Sequence, residues 1–237
     1  MSRFYKTKIK EYPNGSKVLT VYKNALRTEN HSDSIPVYSS EKFESENNVD
    51  DIIDDKFLEK MRAIWKIRTK IKDYVLCNDF DCFWTITFGE DRYDYDIAFH
   101  KMSKWLEKMR KKYGKFDYII IPELHKDGAI HFHGVTGKFK GQLVYSGVKH
   151  KKVKVYNCPD WEHGFTTITK MRDKEKCANY VTKYFTKDMQ NSIVGKGKKK
   201  YWSSRGLRLP VVTYSEIDLG ENLEPNYVND VCSIYKL

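Results

Sequence analysis

Two histidines separated by one bulky apolar residue, His131-Phe132-His133, lie upstream of two tyrosines spaced by one helical turn, Tyr180 and Tyr184. In an extended strand, residues two apart project from the same face, so both imidazoles can reach one metal ion while Phe132 points into a core. A cation held there would polarise a phosphodiester, and a tyrosine hydroxyl would attack it. In a helix the two tyrosines fall within about 40° of each other, with Lys183 and Lys187 on the same side. Ala178, Val181, Phe185 and Met189 form the opposite stripe, free to pack on a sheet. A tyrosine hydroxyl with a pKa near 10 is a poor nucleophile. Nearby ammonium groups and a polarised phosphate address that weakness from both ends. The chain has 17 tyrosines, so either one alone reads equally well as structural; the pair, each followed three residues later by a lysine, argues for chemistry.

A third ligand comes from the turn before the histidines. Lys126-Asp127-Gly128 suits a three-residue hairpin loop with Gly128 in the left-handed position, and that register sets Glu123 across from His131. Glu123, His131 and His133 then share a face, whereas a two-residue loop would send Glu123 to the other side. Two imidazoles, one carboxylate and open coordination positions suit Mn²⁺ or Mg²⁺ holding a phosphate, with zinc a further option. His125 is read as a loop residue on the opposite face.

The elements that must position these groups follow from periodicity. Residues 8–22 read as two short strands about Pro13-Asn14-Gly15-Ser16, residues 28–55 as a polar linker with an acidic end, and residues 57–75 as an amphipathic helix. Next, Trp84, Ile86 and Phe88 alternate with Thr85 and Thr87, which suits a half-buried strand whose threonines face the DNA side and position phosphate. A helix over residues 96–113 carries Ala98, Met102, Trp105, Leu106 and Met109 on one stripe and ends at Gly114. Strands over residues 116–122, 129–135 and 164–169 precede a helix over residues 173–191. The order predicts an α+β fold, an antiparallel sheet with helices packed on one face and the other free for a ligand. Residues 1–75 group as hairpin, linker and helix, 76–215 as the core, and 216–237 as a mobile tail, in one globular domain overall. Trp84, Trp161, Phe165 and Trp202 are candidates for base stacking, although strand aromatics are more often core.

Charge supports a phosphate-rich partner. Against an overall net charge of +11, residues 101–200 hold 24 Lys/Arg and 9 Asp/Glu, whereas residues 41–55 hold seven acids and one lysine. Lys196, Lys198, Lys199 and Lys200 form a basic loop for DNA backbone; with the spacing and hydroxyl of GxxxxGK[ST] missing, it is not a phosphate loop. The five cysteines show no CxxC spacing and read as reduced, intracellular thiols. No apolar run reaches the roughly 18 residues of a membrane span, and no apolar signal core follows Met1, so no membrane role and a cytoplasmic location are expected.

Three segments resemble motifs I, II and III of the HUH endonucleases that initiate rolling-circle replication: Phe83 to Phe88, His131-Phe132-His133-Gly134-Val135, and Tyr180-Val181-Thr182-Lys183-Tyr184-Phe185-Thr186-Lys187. Pro122-Glu123 with Gly128, and Tyr201-Trp202-Ser203-Ser204-Arg205-Gly206-Leu207, are further similar to replication initiators of small phages and plasmids. The resemblance implies a ferredoxin-like or RNA-recognition-motif-like sheet. It implies one divalent metal on Glu123, His131 and His133, attack by Tyr180 or Tyr184 to form a 5′-phosphotyrosyl link, and phosphate stabilisation by Lys183 and Lys187. Two tyrosines one turn apart resemble the two-tyrosine gene A proteins of microviruses, while one tyrosine with its following lysine also matches the single-tyrosine initiators. Arg205 joins the DNA-binding set. The implied partners are single-stranded DNA at an origin in a bacterial host cell and a separate helicase. The rivals are a transposase or relaxase of the same superfamily, and an origin-binding protein without catalysis.

Overall fold

The computed structural model describes residues 4–27, 55–190 and 199–237. In order, the elements are β1 (Phe4–Glu11), β2 (Lys17–Arg27), α1 (Asp55–Cys77), β3 (Cys82–Phe88), α2 (Tyr95–Tyr113), β4 (Asp117–Leu124), β5 (Ile130–Gly137), β6 (Val144–His150) and β7 (Val153–Asn157). They continue with β8 (Gly164–Lys170), α3 (Lys174–Gln190), β9 (Trp202–Ser203), β10 (Val211–Ser215), β11 (Tyr227–Val228) and β12 (Cys232–Lys236). The fold is α+β with antiparallel sheets, as expected. No described helix is long and apolar enough to cross a membrane.

The chain divides into two compact units, one of residues 71–208 and one joining the described parts of residues 1–70 and 209–237. The larger is built on a seven-stranded sheet in the order β6-β7-β8-β3-β5-β4-β9. Trp84, Ile86 and Phe88 of β3 project to one face with Phe132 of β5, where Ala98, Met102, Trp105, Leu106 and Met109 of α2 cover them. Burying each such side chain contributes roughly 1.5–3 kcal/mol. The helix starts where Asp94 accepts from Ile97 N at 3.0 Å, which satisfies one of its orphan donors. Trp84 Nε1 donates to Thr136 Oγ1 at 2.7 Å, Trp161 Nε1 to Thr87 O at 3.1 Å and Trp202 Nε1 to Ser103 Oγ at 3.1 Å. These three indoles are buried and belong to the core, not to a stacking surface. Gly134 sits where β4 comes too close for a side chain, since a Cβ there would lie 2.3 Å from Ile119 O.

On the opposite face α3 lies against β4 and β5. The ligand face is therefore walled by a helix on one side and open over β3 and β8.

The smaller unit is a five-stranded sheet in the order β10-β1-β2-β12-β11. Residues 216–237, expected as a mobile tail, instead supply β11 and β12. Tyr22 pairs with Cys232 and Lys8 with Tyr214, so the C-terminal strands flank the N-terminal hairpin. Cys232 and Ile234 pack with Tyr5 and Tyr22, while Tyr235 packs with Leu19 and Val21 in a separate cluster. The single domain expected from chain length thus becomes two units, because these late strands find their apolar partners in β1 and β2.

Candidate metal and nucleophile site

The β4–β5 hairpin closes through a loop of three residues, Lys126, Asp127 and Gly128. His125 N donates to Ala129 O at 2.8 Å, and Gly128 N donates to His125 O at 2.9 Å. Gly128 has φ +87°, a left-handed conformation that a side chain would strain. Asp127 Oδ1 accepts from Ala129 N at 2.9 Å and locks the turn. The odd loop fixes the register, and Glu123 stands opposite His131.

Carried across the sheet, this register generates two rows on the ligand face. One runs Glu123, His131, Thr87, Phe165 over β4, β5, β3 and β8; the next runs Ile121, His133, Thr85, Thr167. Glu123 and His133 are diagonal neighbours and touch directly, with His133 Nε2 and Glu123 Oε2 2.5 Å apart. Both are buried, at 5% exposure for His133 and 8% for Glu123. The other ring nitrogen, His133 Nδ1, lies 3.2 Å from Thr85 Oγ1. A ring carrying its proton on Nε2 satisfies both contacts, donating to the carboxylate and accepting from the hydroxyl. Thr85, expected at a phosphate, is engaged in orienting this imidazole, and Thr87 is buried between His131 and Phe165.

His131 is half-buried on the same face. Its pKa is held below the ordinary imidazole value, first by burial and then by His125 and His133, which favours the neutral form that ligates metals. The His125 ring stacks on it, centroids 5.2 Å apart and planes 17° apart. His125 is therefore not on the opposite face, as expected from the sequence: two residues beyond Glu123, it returns to the same side. Among the described residues, no three His, Cys, Asp or Glu side chains converge closely enough to hold an ion. Glu123 and His133 are in contact and His131 stands beside them in register. As a donor set of one carboxylate and two imidazoles on one face, they fit Mn²⁺ or Mg²⁺.

The helix bearing the tyrosines begins after Asp173, whose carboxylate accepts from Lys176 N at 2.9 Å. Ala178, Val181 and Thr182 are buried, and Thr182 Oγ1 donates to Ala178 O at 2.8 Å. That leaves Tyr180, 49% exposed, and Lys183 on the outer side, as the helical stripe requires. The Tyr180 ring meets Phe83 edge-on at 5.2 Å, and Phe83 stacks on His133 at 6.2 Å. Phe83 is thus the single ring between the nucleophile candidate and the histidine, a place that strand alternation with Thr85 makes legible although the motifs alone do not single it out. Tyr184 and Lys187 lie on α3 by backbone, one turn further on, and their side chains lie outside the described residues. Lys199 and Arg205 are exposed and Lys200 is half-buried, whereas Lys196 and Lys198 lie outside the described residues.

Of the four aromatic candidates for stacking, Phe165 alone escapes the core. It is 61% exposed, at the end of the row that holds Glu123 and His131. Its alternation with Ile168 carries the signal, since it turns Phe165 away from the α2 side.

No curated protein and no solved structure matches the chain significantly. Residues 81–189 match a family model described as replication-associated protein ORF2, a span that starts just before β3 and ends within the tyrosine helix. That match supports a Rep-type replication initiator family.

Proposed function

We propose that this protein nicks and rejoins single-stranded DNA at a replication origin, through a 5′-phosphotyrosine intermediate, for rolling-circle replication of a phage or plasmid in the bacterial cytoplasm. The observation that carries the reading is the placement of Glu123, His131 and His133 on one face with Tyr180 one aromatic ring away.

Glu123, His131 and His133 would hold one Mn²⁺ or Mg²⁺, which supplies electrophilic polarisation of the scissile phosphate. Glu123 and Thr85 fix the His133 ring from its two nitrogens, so its orientation is set before substrate arrives. The Tyr180 hydroxyl attacks phosphorus, the P–O3′ bond breaks, the tyrosine proton is lost and O3′ leaves as a hydroxyl. Lys183, three residues on along the exposed side of α3, is placed to offset charge on the phosphate. The freed 3′-hydroxyl primes synthesis, and its attack on the phosphotyrosine rejoins the strand. Duplex unwinding falls to a separate helicase. Incubation with a library of single-stranded oligonucleotides and Mn²⁺ is expected to yield a denaturation-resistant protein–DNA adduct, read by gel shift; a chain that binds DNA but never forms the adduct is an origin-binding protein without catalysis.

Phe165 offers an exposed aromatic surface at the end of the metal row, where an unpaired base beside the scissile phosphate can stack. Phe165→Ala is expected to weaken single-strand binding by about 1–3 kcal/mol. Thermal stability should change little because the ring is largely in solvent. Fluorescence anisotropy with a labelled oligonucleotide reads the loss, and unchanged affinity removes the stacking role.

A further inference from the structure

The β6–β7 hairpin forms one edge of the large sheet, and its lysines are arranged unlike those elsewhere in the same unit. Residues 128–159 contain six lysines and no acid, four of them in this hairpin: Lys149, Lys151, Lys152 and Lys154. On α2, by contrast, Lys101, Lys108 and Lys112 each meet a carboxylate, of Asp91, Glu162 and Asp160. Lys170 of β8 meets Asp81. The four hairpin lysines have no ion-pair partner among the described residues, and only Lys154 is seen over a ring, 5.5 Å from the Tyr145 centroid.

The turn adds an independent observation. His150 pairs with Val153, leaving Lys151 and Lys152 as a two-residue loop with φ +47° and +66°. Both central positions of this turn type require left-handed backbone, where Asn-Gly is the favoured pair. Lysine at both is conformationally unfavourable, so the sequence accepts backbone strain and sets two positive charges at the tip.

We propose that this hairpin is a second DNA contact, one that grips the phosphates of duplex DNA flanking the nicking site. Every residue of β6 except Ser146 is exposed, so the two strands stand as a free ribbon. A two-stranded ribbon is of a size that enters the major groove. The tip carries charge and no open aromatic platform of the kind that a single strand would use. From β5 to β6 the sheet order spans four strand spacings, about 19 Å. That is about six base steps at 3.4 Å each, which sets the duplex arm beyond the single-stranded segment. The identification of the polyanion as DNA rests on the proposed function; the unpaired charge and the strained turn do not.

The double substitution Lys151→Asn with Lys152→Gly tests the proposal, because it installs the preferred turn pair while removing both charges. Thermal stability is expected to hold or rise. Affinity for a 20-base-pair duplex, measured by anisotropy over a salt series, is expected to fall roughly tenfold at moderate salt, with a log–log salt slope shallower by about 2. Affinity for a single strand of equal length is expected to fall by less than about twofold. Unchanged duplex affinity and slope overturn the proposal. An equal loss on single-stranded DNA overturns the duplex assignment. Because the measurement is equilibrium binding, it stands or falls separately from adduct formation, which alone tests the nicking chemistry.

Discussion

Replacing His131 and His133 together by alanine is expected to lower Mn²⁺-dependent cleavage of single-stranded DNA by at least about a thousandfold, since polarisation of the phosphate by a metal accounts for several kcal/mol of the barrier. Most salt-sensitive DNA binding should persist, because it rests on lysines spread over the surface. The buried contact between His133 and Glu123 complicates one arm of the experiment. Removing His133 strands a carboxylate that is only 8% exposed, at a cost of about 1–3 kcal/mol in stability. His131→Ala keeps that contact intact and is the cleaner variant. Its cleavage rate and melting temperature, measured side by side with and without Mn²⁺, separate loss of a ligand from loss of fold. Undiminished cleavage by the double variant would remove the metal assignment.

Tyr180 and Tyr184 divide the second experiment. If the two alternate as nucleophiles, Tyr180→Phe and Tyr184→Phe each retain some single cleavage of a short oligonucleotide and fail at repeated cleavage and rejoining, because a second attack needs a free hydroxyl. The double variant forms no adduct, a loss as complete as the assay can read. Mass spectrometry of wild-type adducts on both tyrosines supports alternation. An adduct confined to one, with the other variant fully active through a complete round, assigns the protein to the single-tyrosine pattern. The surroundings of Tyr180 favour it as the first nucleophile to examine, since its ring leans on Phe83 and through it on His133.

The catalytic face is legible in the sequence because it depends on local rules. Gly128 permits only certain turns, the turn sets the register, and the register decides which side Glu123 takes; each step needs no knowledge of the rest of the chain. The strand of Trp84, Ile86 and Phe88 and the stripe of α2 follow from period alone. His125 is placed correctly only when the alternation that sets Glu123 is carried two residues further. The β6–β7 hairpin escapes because its turn holds Lys-Lys where Asn-Gly would announce it, and because glycines and lysines break the alternation across residues 138–154. The C-terminal strands escape for another reason. Cys232, Ile234 and Tyr235 are buried on two sides of a thin sheet, so the half-buried rhythm of a surface strand never appears, and their partners lie some two hundred residues away.

That separation bears on how the protein is made. The sheet that joins β1 and β2 to β10 and β12 has Thr7 paired with Ser215 and Val21 with Ser233, while the whole of residues 71–208 intervenes. Loop-closure entropy grows only slowly with length, so the stability of such pairing suffers little, but its speed does. On a ribosome the β1–β2 hairpin emerges early and gains the strands that flank it only when residues 211–236 have been synthesised. It must wait as a pair of open strand edges, a state that invites pairing with another chain. Slow closure of this sheet, and a dependence of soluble yield on expression temperature, follow from the topology itself.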